Sequence, residues 1–243
     1  MFKSFEPNKI FVITSKAPKY VLFLFIIVLT IGLTEALFLS PEDYKQSDAV
    51  RIMYVHVPAA WTSLGIFSSL ALLSIGSFIF KNKNFALISK SLAPSGFIFN
   101  IIALVTGSIW GKPTWGTWWV WDARLTSTLI LFFLYAAIIA LHSSLDNKTK
   151  ADRAVSILSV LGIAIVPIIK KSVDWWQTLH QPSTFSLTSS PSMTADMYQP
   201  LLMCVVGFYL VFIFMLTNSL RAEIISREKG RNWAQKQFFR REK

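Results

Sequence analysis

The chain has 243 residues, 53% of them hydrophobic, with a mean hydropathy of +0.49, a balance that excludes an ordinary soluble domain and points to a polytopic membrane protein. One cysteine, Cys204, excludes an internal disulfide, a thiolate metal cluster and a Cys-x-x-Cys redox pair. The formal net charge of +11 would suit nucleic acid, but the basic residues sit at the ends of apolar runs, where membrane topology places them.

The first apolar run, residues 20–39, follows a basic leader carrying Lys3, Lys9, Lys16 and Lys19. It is long for a signal-peptide core and no small-x-small cleavage site follows, so it reads as a retained helix. Further runs cover 59–80, 91–110, 125–145, 155–169 and 201–220. The fifth is short for a span and carries Pro167 near its end. Charge decides in its favour: with six spans and both termini cytoplasmic, 18 of the 24 Lys and Arg fall inside and 6 outside, as the positive-inside rule requires. Dropping that span would put the eight basic residues from Arg221 onward outside. The expected fold is therefore a single all-α membrane domain of six transmembrane helices, the fifth extended by an amphipathic turn through Trp176. Within the spans, Asn100 reads as a helix-packing contact, Glu35 is left open, and Cys204 reads as a small buried hydrophobe. The basic tail from Arg221 reads as an amphipathic helix or a disordered segment at the cytoplasmic surface.

The outer segments are then 40–58, 111–124 and roughly 170–200. They are not ordinary connectors. Residues 110–126, WGKPTWGTWWVWDARLT, hold five of the nine tryptophans. A short interfacial helix over 115–121 would put Trp115, Trp118 and Trp119 on one face with Trp121 at its edge, followed by Asp122 and Arg124. Tryptophan belts anchor interfacial helices at headgroup depth, but such belts populate both interfaces, and here only Trp233 of the nine lies inside. The asymmetry argues for an aromatic surface with work to do on the outer side.

Topology also sorts the three histidines: His142 lies at the inner end of the fourth span, His56 and His180 on the side of the tryptophans. A lone histidine at a helix end is commonly a hydrogen-bonded cap. Two neutral imidazoles opposed across a planar macrocycle would instead fill an iron's axial positions, with indoles packed on its faces and edges. Arg51 and Arg124 are the outer arginines able to meet propionates through a bidentate fork, and Arg124 could equally pair with Asp122. No Walker phosphate loop, His-Glu-x-x-His or nucleophile elbow is present. These absences leave the binding of a planar metal macrocycle ahead of enzyme chemistry.

Residues 115–127, WGTWWVWDARLTS, resemble the tryptophan-rich "WWD" domain of the haem-handling membrane proteins of cytochrome c maturation. MYVHVPAAW over 53–61 and VDWWQTLHQPST over 173–184 are similar to the two histidine-bearing outer segments of the haem exporter protein C family, CcmC. The resemblance extends over nearly the whole chain. It implies that His56 and His180 are axial ligands of haem b carried as transient cargo, and that Trp115, Trp118, Trp119, Trp121 and Asp122 form the core of the haem platform, to which Arg124 is added as a cofactor-binding residue. It further implies delivery from the outer face of the bacterial inner membrane to a periplasmic haem chaperone, CcmE. The implied partners are the ATP-binding cassette subunits CcmA and CcmB and the one-span protein CcmD. Pro182 departs from the glycine expected after His-Gln.

Two rival functions remain at this level. A cofactor-free scaffold subunit of a transporter complex would use the tryptophans as an anchor and be indifferent to its histidines. A quinol or haem redox enzyme would need bis-histidine haem within the bundle, where the spans offer only His142.

Overall fold

The computed structural model describes residues 6–181 and 191–236, and of Lys83 the backbone; Pro182 and the last residues of the tail lie outside. Among the described residues there is no strand beyond one isolated bridge, Asp43 to Ser47. Six stretches are long and apolar enough to cross a membrane: Ala17–Leu39, Asp48–Phe80, Asn84–Trp115, Ala123–Ser144, Lys148–Trp175 and Ala195–Glu228. Helix is what such sequences must form in lipid, where each backbone N–H and C=O needs a partner inside its own segment.

After a short α1 (Pro7–Thr14), α2 (Ala17–Thr34) ends in a π-helical turn, Glu35–Leu39. A 3-10 turn, Asp48–Ile52, leads into α3 (Met53–Phe80). Next come α4 (Lys83–Trp115) and α5 (Ala123–Ser144). The fifth crossing is two helices, α6 (Lys148–Gly162) and α7 (Ile165–Trp175), so the short apolar run of 155–169 is the middle of a longer, broken span. Pro167 accounts for the break: without an N–H it cannot bond the Ile163 carbonyl, and the Val166 N–H takes that carbonyl in a tighter turn at 3.1 Å. The last crossing is α8 (Ala195–Glu228), followed by α9 (Asn232–Ala234). Residues Arg221–Glu228 of the basic tail are therefore continuous with the last crossing helix.

The helix starts are written in the sequence. Asn82, Asp122 and Asn147 each accept a backbone N–H in the first turn of α4, α5 and α6, which satisfies donors that would otherwise be bare. At 33 residues α4 is about 50 Å long against a hydrocarbon core of roughly 30 Å. It therefore projects well beyond the apolar layer.

Helices α3 and α4 form the centre. Phe67, Leu70, Phe99, Leu131, Tyr135 and Ile138 are buried between them, α5 and α6, and the Tyr135 hydroxyl donates to the Ser63 carbonyl at 2.7 Å. Asn100 is buried, as a packing residue should be, though its Oδ1 has no hydrogen-bond partner among the described residues. Cys204 is fully buried beside Ala36, Tyr54 and Leu201. At one end of the bundle Arg227 holds Asp152 through two bonds of 2.7 and 2.8 Å and Glu223 at 2.5 Å, while Lys90 reaches Glu223 at 2.6 Å. That network ties α4, α6 and α8. His142 stands beside it, 3.9 Å from Asp152. At the same end Phe11 of α1 packs with Leu87, Leu220, Ile224 and Trp233, with the Arg221 guanidinium 4.8 Å above its ring. The opposite end is open, and the other eight tryptophans lie there.

Candidate functional site

The open end holds a cavity of ≈ 180 Å³ between the first turns of α3, the projecting end of α4, the start of α5 and the segment after α7. His56, Trp61, Trp110, Trp115, Trp119, Arg124 and His180 all line it. Each wall follows from a local rule. Pro58 lies inside α3, past its first turn, where it cannot donate to the Tyr54 carbonyl, and His56, two residues before it, points across to α4. There Gly107 makes room: a Cβ on it would stand 2.8 Å from the His56 Cε1 atom. One turn on, a Cβ on Gly111 would stand 2.9 Å from the Trp115 ring. Two glycines a turn apart thus let an imidazole and an indole lie against the backbone of α4.

The expected interfacial helix over 115–121 does not form. Trp115 is the last residue of α4, and Gly116, at φ 78°, turns the chain into the left-handed conformation that ends the helix. Its N–H returns to the Lys112 carbonyl at 3.1 Å, and the Lys112 ammonium holds the Gly116 carbonyl at 3.1 Å. The chain then runs irregularly to Asp122, fixed on the way by the Ser108 hydroxyl donating to the Trp118 carbonyl at 2.7 Å. In place of one aromatic face, the segment splits. Trp115 and Trp119 face the cavity; Trp118 and Trp121 are 55% and 75% exposed and lie outside it. Trp121 still meets Trp119 edge-on, their ring centres 5.6 Å apart.

Asp122 is the N-cap of α5, accepting the Leu125 N–H at 2.8 Å, and does not line the cavity. It makes no ion pair with Arg124 among the described residues. The Arg124 guanidinium turns to α7 and the segment beyond it. Its Nε donates to the Ser172 hydroxyl at 2.9 Å, Nη2 to the Lys170 carbonyl at 3.3 Å, and Nη1 lies 3.1 Å from His180 Nδ1. Arg51 is likewise committed, to Asp48 at 2.8 Å and to the Leu37 carbonyl, away from the cavity.

The two histidines meet. Their ring centres are 6.5 Å apart and their planes inclined by 39°. Trp110 stands edge-on to His56 at 5.7 Å and Trp115 lies 6.3 Å from His180. Two metal–imidazole bonds of about 2 Å, each continued by about 1 Å to its ring centre, would separate axial rings by roughly 6 Å, close to the observed gap. Burial, and then the Arg124 charge, lower the His180 pKa to about 4, against the opposing effect of the Gln181 carbonyl. The ring is therefore neutral at physiological pH, as a ligand must be, with Arg124 and the Gln181 carbonyl both at its Nδ1. Among the described residues no three His, Cys, Asp or Glu side chains gather, so a bare ion would find only this pair. A metal already held in a planar macrocycle needs two such ligands and no more. His142, 5% exposed at the far end of the bundle, stands beside the charged network there, 3.9 Å from Asp152.

Several contacts escape a reading of the sequence. Thr106 faces His56 Nδ1 at 3.1 Å, Gln46 accepts the Trp110 indole N–H at 2.8 Å, and Ser172 and Gln181 flank the Arg124–His180 pair. Thr106 and Gly107 leave a trace, as the polar and small residues in an otherwise apolar stretch. Gln46 and Ser172 leave none.

A family model described as "Heme exporter protein C" matches residues 1–235. A protein of Haemophilus influenzae called heme exporter protein C is 40% identical over 228 residues, covering 94% of this chain and 93% of its own. One of the same description from Escherichia coli K12 is 43% identical over 216 residues, or 89% and 87% of the two chains. A liverwort protein, from Marchantia polymorpha, described as a putative cytochrome c biosynthesis ccmC-like mitochondrial protein, is 43% identical over 185 residues, or 76% and 78%.

Proposed function

Since the chain belongs to the heme exporter protein C family, we propose that it binds haem b at the periplasmic face of the bacterial inner membrane and passes it on for c-type cytochrome biogenesis. It is a multi-pass membrane protein that takes part in haem export. Both termini are cytoplasmic in this reading, which places the charged network inside and the cavity outside. The recipient is the periplasmic chaperone CcmE, and CcmA, CcmB and CcmD are the partners that drive release.

The observation that carries the reading is the opposed pair His56 and His180, 6.5 Å apart in a cavity walled by Trp110, Trp115 and Trp119. The two imidazoles supply the axial bonds. Indole contacts of this kind contribute about 0.5–1.5 kcal/mol each beyond burial, enough with those bonds to hold an amphiphilic macrocycle against partition into lipid. The cavity is open at its outer end, so the bound edge stays within reach of an acceptor. Trp118 and Trp121 reach the surface beside that opening and suit contact with the chaperone more than with the macrocycle. Asp122 acts on the platform through the start of α5.

The test is the visible spectrum of detergent-purified protein from haem-sufficient cells, beside His56→Ala and His180→Ala. A Soret band with low-spin features in the parent, lost or turned high-spin in both variants, is the expected result. A folded but colourless parent would favour the cofactor-free scaffold subunit, for which the exposed Trp118, Trp121, Trp175 and Trp176 would be the docking surface.

A further inference from the structure

The two histidines are held in different ways, and the difference lies in which ring nitrogen carries the proton. The Thr106 hydroxyl donates its one proton to the Ile102 carbonyl at 2.6 Å. Toward His56 Nδ1, 3.1 Å away, the hydroxyl oxygen can therefore only accept. This fixes the proton on Nδ1 and leaves the Nε2 lone pair of His56 bare at all times.

At His180 the same nitrogen faces two partners with opposite demands. Arg124 Nη1, 3.1 Å from Nδ1, can only donate. The Gln181 carbonyl oxygen, 2.9 Å from Nδ1, can only accept. A neutral imidazole nitrogen satisfies one of them. With Arg124 donating, the ring proton resides on Nε2 and that nitrogen has no lone pair to give. With Nδ1–H donating to Gln181, Nε2 is a ligand and Arg124 Nη1 is released. The guanidinium stays anchored either way, through Nε on Ser172 and Nη2 on the Lys170 carbonyl.

We propose that Arg124 is a positioning residue that keeps His180 in its non-ligating tautomer until a carboxylate of the cargo draws Nη1 away. The inference rests on the reading of His180 as an axial ligand. A carboxylate is the natural competitor, because it accepts from guanidinium with a charge-assisted bond that a neutral imidazole cannot match. Recognition of a free propionate would then arm the second ligand, and His56 alone would hold a macrocycle lacking one. The ring's proton count is unchanged in this exchange: Nε2 gives its proton to water at the open end of the cavity and Nδ1 takes one from water as Arg124 turns to the carboxylate. The pair makes the site selective for an iron porphyrin with free carboxylates, and it makes the His180 bond the one that yields first when the propionate is taken elsewhere.

Two measurements on the full-length protein in detergent test it, each with Arg124→Met, which keeps length and removes every donor. The first is the nitrogen-15 spectrum of the haem-free protein labelled at histidine, with the His180 signal identified by its loss in His180→Ala. The parent is expected to show His180 protonated at Nε2, and Arg124→Met to show it protonated at Nδ1. The second compares haem with its dimethyl ester. The parent should form the low-spin complex with haem and a high-spin one with the ester, whereas Arg124→Met should bind the ester low-spin and roughly ten- to a hundredfold tighter than the parent does, the worth of one charge-assisted hydrogen bond. An unchanged tautomer in the variant, or a parent that treats acid and ester alike, overturns the proposal. If Arg124→Met does not fold, Ser172→Ala, which frees Nε, is to be read by the same criteria in weaker form. A low-spin spectrum that survives His180→Ala would instead remove the axial-ligand reading, while the tautomer measurement would stand by itself.

Discussion

At His180 a ring at the edge of the cavity lies beside a guanidinium, and both burial and that charge oppose its protonation, taking its pKa from the usual 6.5 to about 4. Since the folded value is the lower one, the unfolded chain takes up the proton first. The contribution of the neutral ring to stability is therefore complete above about 6.5 and lost as pH falls toward 4. Haem ligation follows the same window, because only the neutral ring binds iron. We expect the low-spin spectrum to hold from pH 7 to about 5.5 and to decay below about 4. A decay centred near 6.5 would place His180 in free solvent. At this scale the sequence was partly legible. The identity of the paired histidines could be argued from their motif neighbours and their shared side, and Thr106 and Arg124 stand out locally as polar residues, but nothing local says which histidine each one meets, because they come from other helices. Trp118, expected on one face with Trp115, and Trp121, expected at its edge, show the reverse error: they stand outside the cavity because a single glycine, Gly116, stops the helix after Trp115.

Among the elements, α5 depends on Asp122 at its start. The Oδ1 atom accepts the Leu125 N–H at 2.8 Å, and Arg124 sits two residues beyond the cap. Removing the cap with Asp122→Ala should cost about 1 kcal/mol and loosen the placement of Arg124, lowering the share of haem-loaded protein. Asn is as good a cap as Asp, so Asp122→Asn should load haem like the parent. Equal loss in both variants, measured as haem per protein, would show that the charge of Asp122 matters and the cap does not. The same logic of helix ends governs α4 and α6, where Asn82 and Asn147 could be read as caps from the sequence. The fifth crossing was half legible: its extension toward Trp176 follows from the sequence, but the apolar run gives no sign that Lys148–Gly162 belongs to the same crossing or that the helix breaks before Ile165.

Across the whole molecule the two ends are built for opposite purposes. The charged end locks α4, α6 and α8 through Lys90, Asp152, Glu223 and Arg227, whose side chains are 11 to 24% exposed. Breaking a largely buried network leaves uncompensated charge, so Arg227→Ala should lower stability by about 3 kcal/mol in denaturant titrations in detergent, while protein that remains folded keeps its haem spectrum. No change in the unfolding midpoint would mean that solvent already screens these charges. The other end leaves its helices splayed around a cavity, with the polar bonds that hold it running between loops and helix tips. The sequence by itself determined the membrane class, the six crossings, the sidedness of the tryptophans and the family, because hydropathy, charge bias and short motifs are properties of contiguous residues. The tertiary structure decided that His56 and His180 oppose each other, that Gly107 makes room for the His56 ring from another helix, and that Arg124 serves His180 in preference to Asp122. Those are relations between residues 48 to 124 positions apart, and their partners are chosen by how helices pack, which no local pattern encodes.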